Sequence, residues 1–277
     1  MKRILTIQDI SCVGKCSLTV ALPIISACGV ETSVLPTAVL STHTAFSSFT
    51  FRDLTDDIKN ISNEFTKQNI SFDALYTGYL GSFKQLELVS DLFNKFKTKD
   101  NFILVDPVMA DHGRLYKGFD KNFANSMANL CKLADIIVPN LTEASFMLDE
   151  PYIEKDYDEN YIKSLLKRLT ALGCKKALLT GVSFNENQLG VYGYDSIFDE
   201  YFYYHRKKLP VNFHGTGDVF ASALCGALTI GKTLKQAVKI AVDYTVECIN
   251  ETVKNPNANW YGVEFEKAIP YLINTIK

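Results

Sequence analysis

Late in the chain, Pro210-Val211-Asn212-Phe213-His214-Gly215-Thr216-Gly217-Asp218 runs directly into the small, apolar, helix-forming stretch Val219-Phe220-Ala221-Ser222-Ala223. Gly215 and Gly217 frame Thr216, and glycine lets main-chain amides turn inward without a Cβ clash. A helix beginning there adds orphan N–H groups and the positive end of its dipole. The combination predicts an anion hole suited to a phosphoryl group in transfer. Asp218 falls on the first turn, where its carboxylate can reach an alcohol at the same spot and take its proton. Taken alone, the tetrapeptide fits equally well a plain loop in which Asp218 caps helix amides.

Two further acidic sites shift that balance. Asp106-Pro107-Val108-Met109-Ala110-Asp111 follows an apolar strand, and the carboxyl ends of strands are where open α/β sheets bind ligands. Paired carboxylates together with water and phosphate oxygens suit octahedral Mg²⁺. A simple turn, capped by Asp106 and stopped by Pro107, is the plainer account. Val138-Pro139-Asn140-Leu141-Thr142-Glu143 again places an amide and a carboxylate after a short strand. Asn140 and Glu143 have capping-box spacing, which a functional role does not contradict. There is no Gly-x4-Gly-Lys-Ser/Thr loop and no protein-kinase motif set, so any phosphate chemistry must use another scaffold.

Those sites need elements to carry them. Short β-branched runs alternate with longer segments of helical period, the pattern of a parallel sheet covered by helices. Strands are predicted at 3–8, 31–35, 74–78, 102–106, 136–138 and 176–180. Helices are predicted at 17–28, 55–68, 84–96, 122–133, 142–148 and 159–172. Gly29 and Gly173 stand where a left-handed C-cap favours glycine. Residues 188–194 and 197–204 read as a β-hairpin with Asp195 at its turn, before helices return from Gly217 to Asn250. With no repeat, linker or low-complexity tract, one domain over 1–277 is expected.

Composition narrows the function classes. Lysine and arginine total 29 against 31 acidic residues, a net charge of −2, so no field favours nucleic acid or an anionic membrane. No apolar run approaches a bilayer span, and Asp9 arrives too soon for a signal-peptide apolar region, so a cytoplasmic location is expected. Seven scattered cysteines read as free thiols. Cys12 and Cys16 lack the second Cys/His pair that a tetrahedral zinc site requires.

Gly215-Thr216-Gly217-Asp218, Asp106-Pro107-Val108-Met109-x-Asp111 and Pro139-Asn140-Leu141-Thr142-Glu143, in that set and order, resemble the ribokinase-like (PfkB) superfamily. Ser41-Thr42-His43-Thr44 and Thr77-Gly78-Tyr79-Leu80-Gly81-Ser82 make the chain most similar to its pyridoxal/pyridoxamine kinase branch. The resemblance spans Ile7 to about Asn250. It implies a three-layer α/β/α sandwich with a mainly parallel central sheet, assembled as a homodimer, and ATP and Mg²⁺ as cofactors, with a monovalent cation such as K⁺ left open. It implies Asp218 as base and Gly215, Thr216 and Gly217 as anion hole. By the same matching, Asp106, Asp111, Asn140 and Glu143 handle metal and triphosphate, directly or through water. Thr180 falls on the nucleotide side, and Val211 and Phe213 are expected either to wall the adenine slot or to pack in the core.

For the acceptor, a B6 vitamer phosphorylated on its 5′-hydroxymethyl group, the resemblance points to His43, Thr44 and Tyr79. Tyr79 can supply a flat wall, and His43 and Thr44 the polar groups. The chain departs from the branch after Gln8, where Asp9-Ile10-Ser11 replaces Ser-His, so either Asp9 or Ser11 could meet the ring. An acidic residue there is also similar to the hydroxymethylpyrimidine kinase branch of thiamine synthesis, the second substrate reading. A sugar kinase is disfavoured, because between Glu31 and Thr50 one strand and a Ser/Thr-rich loop leave no β-sheet lid. Closure could come instead from the loop His112–Gly118, with its glycines and cations. A non-catalytic nucleotide- or vitamer-binding protein is the reading from another class, opposed by the intact Asp218 and both glycines.

Overall fold

A computed structural model describes all residues, 1–277. They form two compact units, one from Met1–Gly78 together with Leu209–Lys277, the other from Tyr79–Lys208. The first unit opens with β1 (Arg3–Val13), crosses through α1 (Leu18–Ala27) and returns as β2 (Glu31–Thr42), parallel to β1. Ile4, Leu5 and Ile7 of β1 are wholly buried, the continuous apolar run expected of a strand covered on both faces. Each such side chain contributes about 1.5–3 kcal/mol on leaving water. A short β3 (Phe51–Asp53) pairs antiparallel with β2, α2 (Thr55–Lys67) follows, and β4 (Ala74–Thr77) lies parallel to β1 on its other side.

The β1–β2 ladder slips between Gln8 and Ile10, so that Asp9 faces two residues of β2. Pro36, which has no N–H to donate, stands just before the slip. Beyond it both strands continue, past the ends predicted at Gln8 and Leu35. Polar Asp9 and Ser11 break the apolar run, which is why sequence pattern alone stops the strand early.

The second unit holds α3 (Phe83–Phe96), β5 (Phe102–Val105), a hairpin of β6 (Ala110–Asp111) and β7 (Arg114–Leu115), and α4 (Lys121–Cys131). It continues with β8 (Ile136–Ile137), α5 (Leu141–Leu148), α6 (Glu159–Ala171) and β9 (Lys176–Val182). The unit closes with β10 (Gln188–Asp195) and β11 (Glu200–Lys207). Strands β5, β8 and β9 are parallel in that order, and β10 and β11 extend them antiparallel. The expected hairpin is present, and Asp195 tightens its turn by accepting the Ile197 N–H at 3.0 Å.

On re-entering the first unit the chain forms α7 (Thr216–Thr229), α8 (Leu234–Lys254) and α9 (Phe265–Ile276). Helix α7 is buried almost all round, and Gly226 lets it close on α1, since a Cβ there would lie 2.6 Å from the Cys28 sulfur. Tyr244 of α8 donates its hydroxyl to the Phe265 carbonyl of α9 at 3.1 Å.

Candidate active site

Gly215 is the N-cap of α7, in the left-handed region at φ 78°, and no side chain caps the helix. The first intrahelical bond runs from Val219 N–H to Gly215 O, so the amides of Thr216, Gly217 and Asp218 precede the helical ladder. Glycine is obligatory at 215 on two counts: its backbone is left-handed, and an added Cβ would lie 1.8 Å from the Lys15 carbonyl oxygen. At Gly217 the reason differs. A Cβ there would meet nothing within 4 Å, so the neighbouring protein does not demand glycine and the space beside the amides is open. Thr216 anchors the turn through its hydroxyl on the Phe213 carbonyl, 3.3 Å away. Val211 and Phe213 are half-buried in the segment leading to it.

Asp218 stands on the first helical turn, half-buried. Burial pushes its carboxyl up to about 7, the charge of Asp9 adds to the rise, and the Ser17 backbone N–H, donating to it, opposes it. Such a group is poised to exchange a proton near neutral pH. Asp9 is buried too, with Oδ1 accepting from the Ser17 hydroxyl at 2.6 Å and Oδ2 from Ser11 at 3.3 Å. Both of the residues named as ring contacts are therefore hydrogen-bonded to each other. Cys16, beside them, has its thiol pushed up to about 12 by burial, with Asp218 and Asp9 behind, and stays neutral. Cys12 and Cys16 are free thiols.

His43 is buried at the centre of an aromatic cluster. The Ala45 N–H donates to its Nδ1 at 3.2 Å, which leaves Nε2 to donate to the Tyr261 carbonyl at 3.1 Å. Burial lowers its pKa, helped by His214, so the ring is neutral. Phe46, His214 and Trp260 pack round it with centroids 4.9, 5.4 and 5.9 Å away. Both polar atoms of His43 thus bind main chain, and the ring pins its own loop to the segment carrying Trp260. Thr44, next along, is exposed.

In the second unit the capping box forms as spaced. Asn140 Oδ1 accepts the Glu143 N–H at 2.9 Å, and Glu143 Oε2 accepts the Asn140 N–H at 2.8 Å. Glu143 Oε1 takes the Met109 N–H at 3.1 Å, and Asn140 Nδ2 donates to the Ala110 carbonyl at 2.9 Å. Residues 109–110, just before Asp111, are therefore tied to the N-terminus of α5. Burial raises the Glu143 pKa against the pull of those amides. Thr180 bridges to Asn140 in parallel register. Asp106 is buried at the end of β5, whereas Asp111 keeps about half of its side chain exposed. The predicted closing loop is the β6–β7 hairpin, turned by left-handed His112 and Gly113 and held where the Gly113 N–H meets the Thr142 hydroxyl at 3.0 Å. Tyr79 stacks on Phe119, centroids 5.7 Å apart.

Both oxygens of Glu143 already accept amide hydrogens, so direct metal ligation does not fit it. No three acidic, thiol or imidazole groups converge as a metal cage anywhere in the chain. Magnesium does not demand one, because it usually takes one or two carboxylates and completes its shell with water and phosphate. The exposed Asp111 carboxylate fits that use. Sequence reasoning missed Ser17 and Lys15, both set against the start of α7.

A model of the phosphomethylpyrimidine kinase family matches residues 22–261. The chain is 38% identical to a Bacteroides thetaiotaomicron protein described as a candidate phosphomethylpyrimidine kinase and crystallised with pyridoxal. That likeness covers 98% of this chain and 95% of the other, with a TM-score of 0.93. Against pyridoxal kinase from Lactobacillus plantarum the identity is 28% over 99% of this chain and 97% of that one, with a TM-score of 0.91. A hydroxymethylpyrimidine/phosphomethylpyrimidine kinase of Aquifex aeolicus is 26% identical over 72% of this chain and 73% of its own length. The fold class agrees with that of these structures: mixed α/β, with a large, mostly parallel central sheet flanked by helices. No helix is long and apolar enough to cross a membrane.

Proposed function

Since the chain belongs to the phosphomethylpyrimidine kinase family, within the ribokinase-like superfamily, we propose that it moves the γ-phosphate of ATP to the 5′-hydroxymethyl group of a B6 vitamer. It is an ATP-dependent small-molecule kinase; the choice of acceptor is the proposal. The observation that carries the chemistry is the uncapped start of α7, with open space at Gly217 and a carboxyl near neutral pKa one residue on. The acceptor oxygen attacks the γ-phosphorus, its bond to the β-bridging oxygen breaks, ADP leaves, and the hydroxyl proton passes to Asp218. The amides of Gly215, Thr216 and Gly217 take the charge on the transferring group. Asp106, Asp111, Asn140, Glu143 and Thr180 serve the nucleotide, and Val211 and Phe213 wall its base. Magnesium, held by Asp111 and through water by Asp106 and Glu143, would supply charge neutralisation on the triphosphate. Tyr79 and Thr44 serve the acceptor ring, and His43 shapes that side from within its cluster.

Pyridoxal in the crystal of the Bacteroides relative favours a B6 vitamer. The family match and the Aquifex relative favour hydroxymethylpyrimidine, the second reading. The test is ATP consumption with Mg²⁺ across pyridoxal, pyridoxamine, pyridoxine and hydroxymethylpyrimidine. A kcat/KM at least tenfold higher on a B6 vitamer is expected, and the reverse order would transfer the protein to thiamine chemistry. Turnover of none of them would favour a binding protein. We further infer a cytoplasmic homodimer that uses the short β3 edge, where Phe49 and Phe51 are exposed. Light scattering at micromolar concentration should give twice the chain mass.

A further inference from the structure

Asp9 is a buried carboxylate that the transfer chemistry does not use, and Ser17 is a residue in an unfavourable conformation. Ser17 caps α1 at φ 50°, ψ −134°, a region left almost entirely to glycine. A serine at an N-cap ordinarily accepts an amide of its own helix. Here the hydroxyl makes no such bond and donates to Asp9 Oδ1 at 2.6 Å instead. The backbone N–H of this same residue is directed at the Asp218 carboxylate. The same turn passes under the anion hole, where the Lys15 carbonyl fills the place of a Gly215 Cβ while the Lys15 ammonium pairs with Glu266 of α9 at 2.5 Å.

Resting on the reading of Asp218 as the base, we propose that Asp9 is a positioning residue, which through the Ser17 hydroxyl holds the Ser17 N–H on Asp218 and fixes the base beside the anion hole. The titratable groups acting on Asp218 are Asp9 from β1 and the neutral Cys16 thiol from the β1–α1 turn. Asp9 therefore acts twice, by orienting the Ser17 N–H and by its charge. This differs from a role in touching the acceptor ring, which would show in the acceptor KM.

The test measures kcat, acceptor KM, the pH profile of kcat and thermal unfolding for Asp9→Asn, Ser17→Ala, Ser17→Gly and Asp218→Asn. Asp9→Asn is expected to lower kcat about 10- to 100-fold with KM within about twofold, as for a misplaced catalytic group. Its acid limb should move to higher pH, because losing the Ser17 N–H, which holds the Asp218 carboxyl down, outweighs losing the Asp9 charge that pushes it up. Ser17→Gly should recover much of the rate lost in Ser17→Ala, since glycine adopts the conformation without the tether. The proposal is overturned if Asp9→Asn keeps both kcat and its acid limb, raises KM alone, or if Ser17→Gly is no faster than Ser17→Ala. If Asp9→Asn does not fold, the Ser17 pair decides. Should Asp218→Asn itself turn over at the wild-type rate, the base assignment fails first and takes this proposal with it.

Discussion

Asp218 answers two opposed demands. A base must be ionised to accept a proton, yet the surroundings that align it hold its carboxyl at about 7. The rate should therefore fall as pH drops through that value, read from kcat between pH 5.5 and 9 on a flow spectrometer (about 6 to 8 is the informative range). Asp218→Asn should cut kcat by roughly three orders of magnitude while nucleotide and acceptor still bind by calorimetry. The stability sign runs the other way. With a folded-state pKa above the ordinary 3.8, the native protein keeps a proton that the unfolded chain releases, so Asp218 subtracts stability as pH rises from one value to the other. Asp218→Asn should accordingly melt higher than wild type at pH 8, a gain in Tm bought with activity. Gly215→Ala should fail differently: strain of about 1–3 kcal/mol from the left-handed backbone adds to the clash with Lys15, so both Tm and kcat fall.

At the scale of the element, α5 shows how one device serves two ends. Its capping box satisfies the first amides of the helix, and the same side chains reach the main chain of Met109 and Ala110. Asn140→Ala should lower stability by about 1–2 kcal/mol through the lost cap. It should also raise the KM for ATP, which a plain cap on a distant helix would not; equilibrium denaturation and steady-state kinetics check the two halves. The box was legible because its partners are three residues apart, and the start of α7 because glycine and small apolar residues announce it. Asp9 and Ser17 lie eight apart across a bulged strand end and a turn, and no local preference predicts a serine at φ 50°. The grip of His43 on Tyr261 joins residues 218 apart, so neither the cluster nor a reading of Trp260 could come from spacing. The β3 strand is three exposed residues, too short for a period, and the β6–β7 hairpin, two residues to a strand, takes part of its hold from Thr142, 29 residues on from Gly113.

At the scale of the molecule, the first unit is built from both ends of the chain, with Tyr79–Lys208 inserted between them. The chain crosses between units twice, so the first cannot be excised as one continuous piece. We expect the whole of 1–277 to behave as one domain and unfold in one calorimetric transition, with calorimetric and van't Hoff enthalpies equal; two resolved peaks would argue for independent units. The contact between Lys15 and Gly215 joins residues made far apart in time. At about 5–20 residues per second on the ribosome, roughly 10–40 s separate the two, and the amino-terminal strands must wait that long as a nascent chain for α7 to emerge. A message truncated between β11 and α7 would yield a polypeptide with every strand and no seat for phosphate.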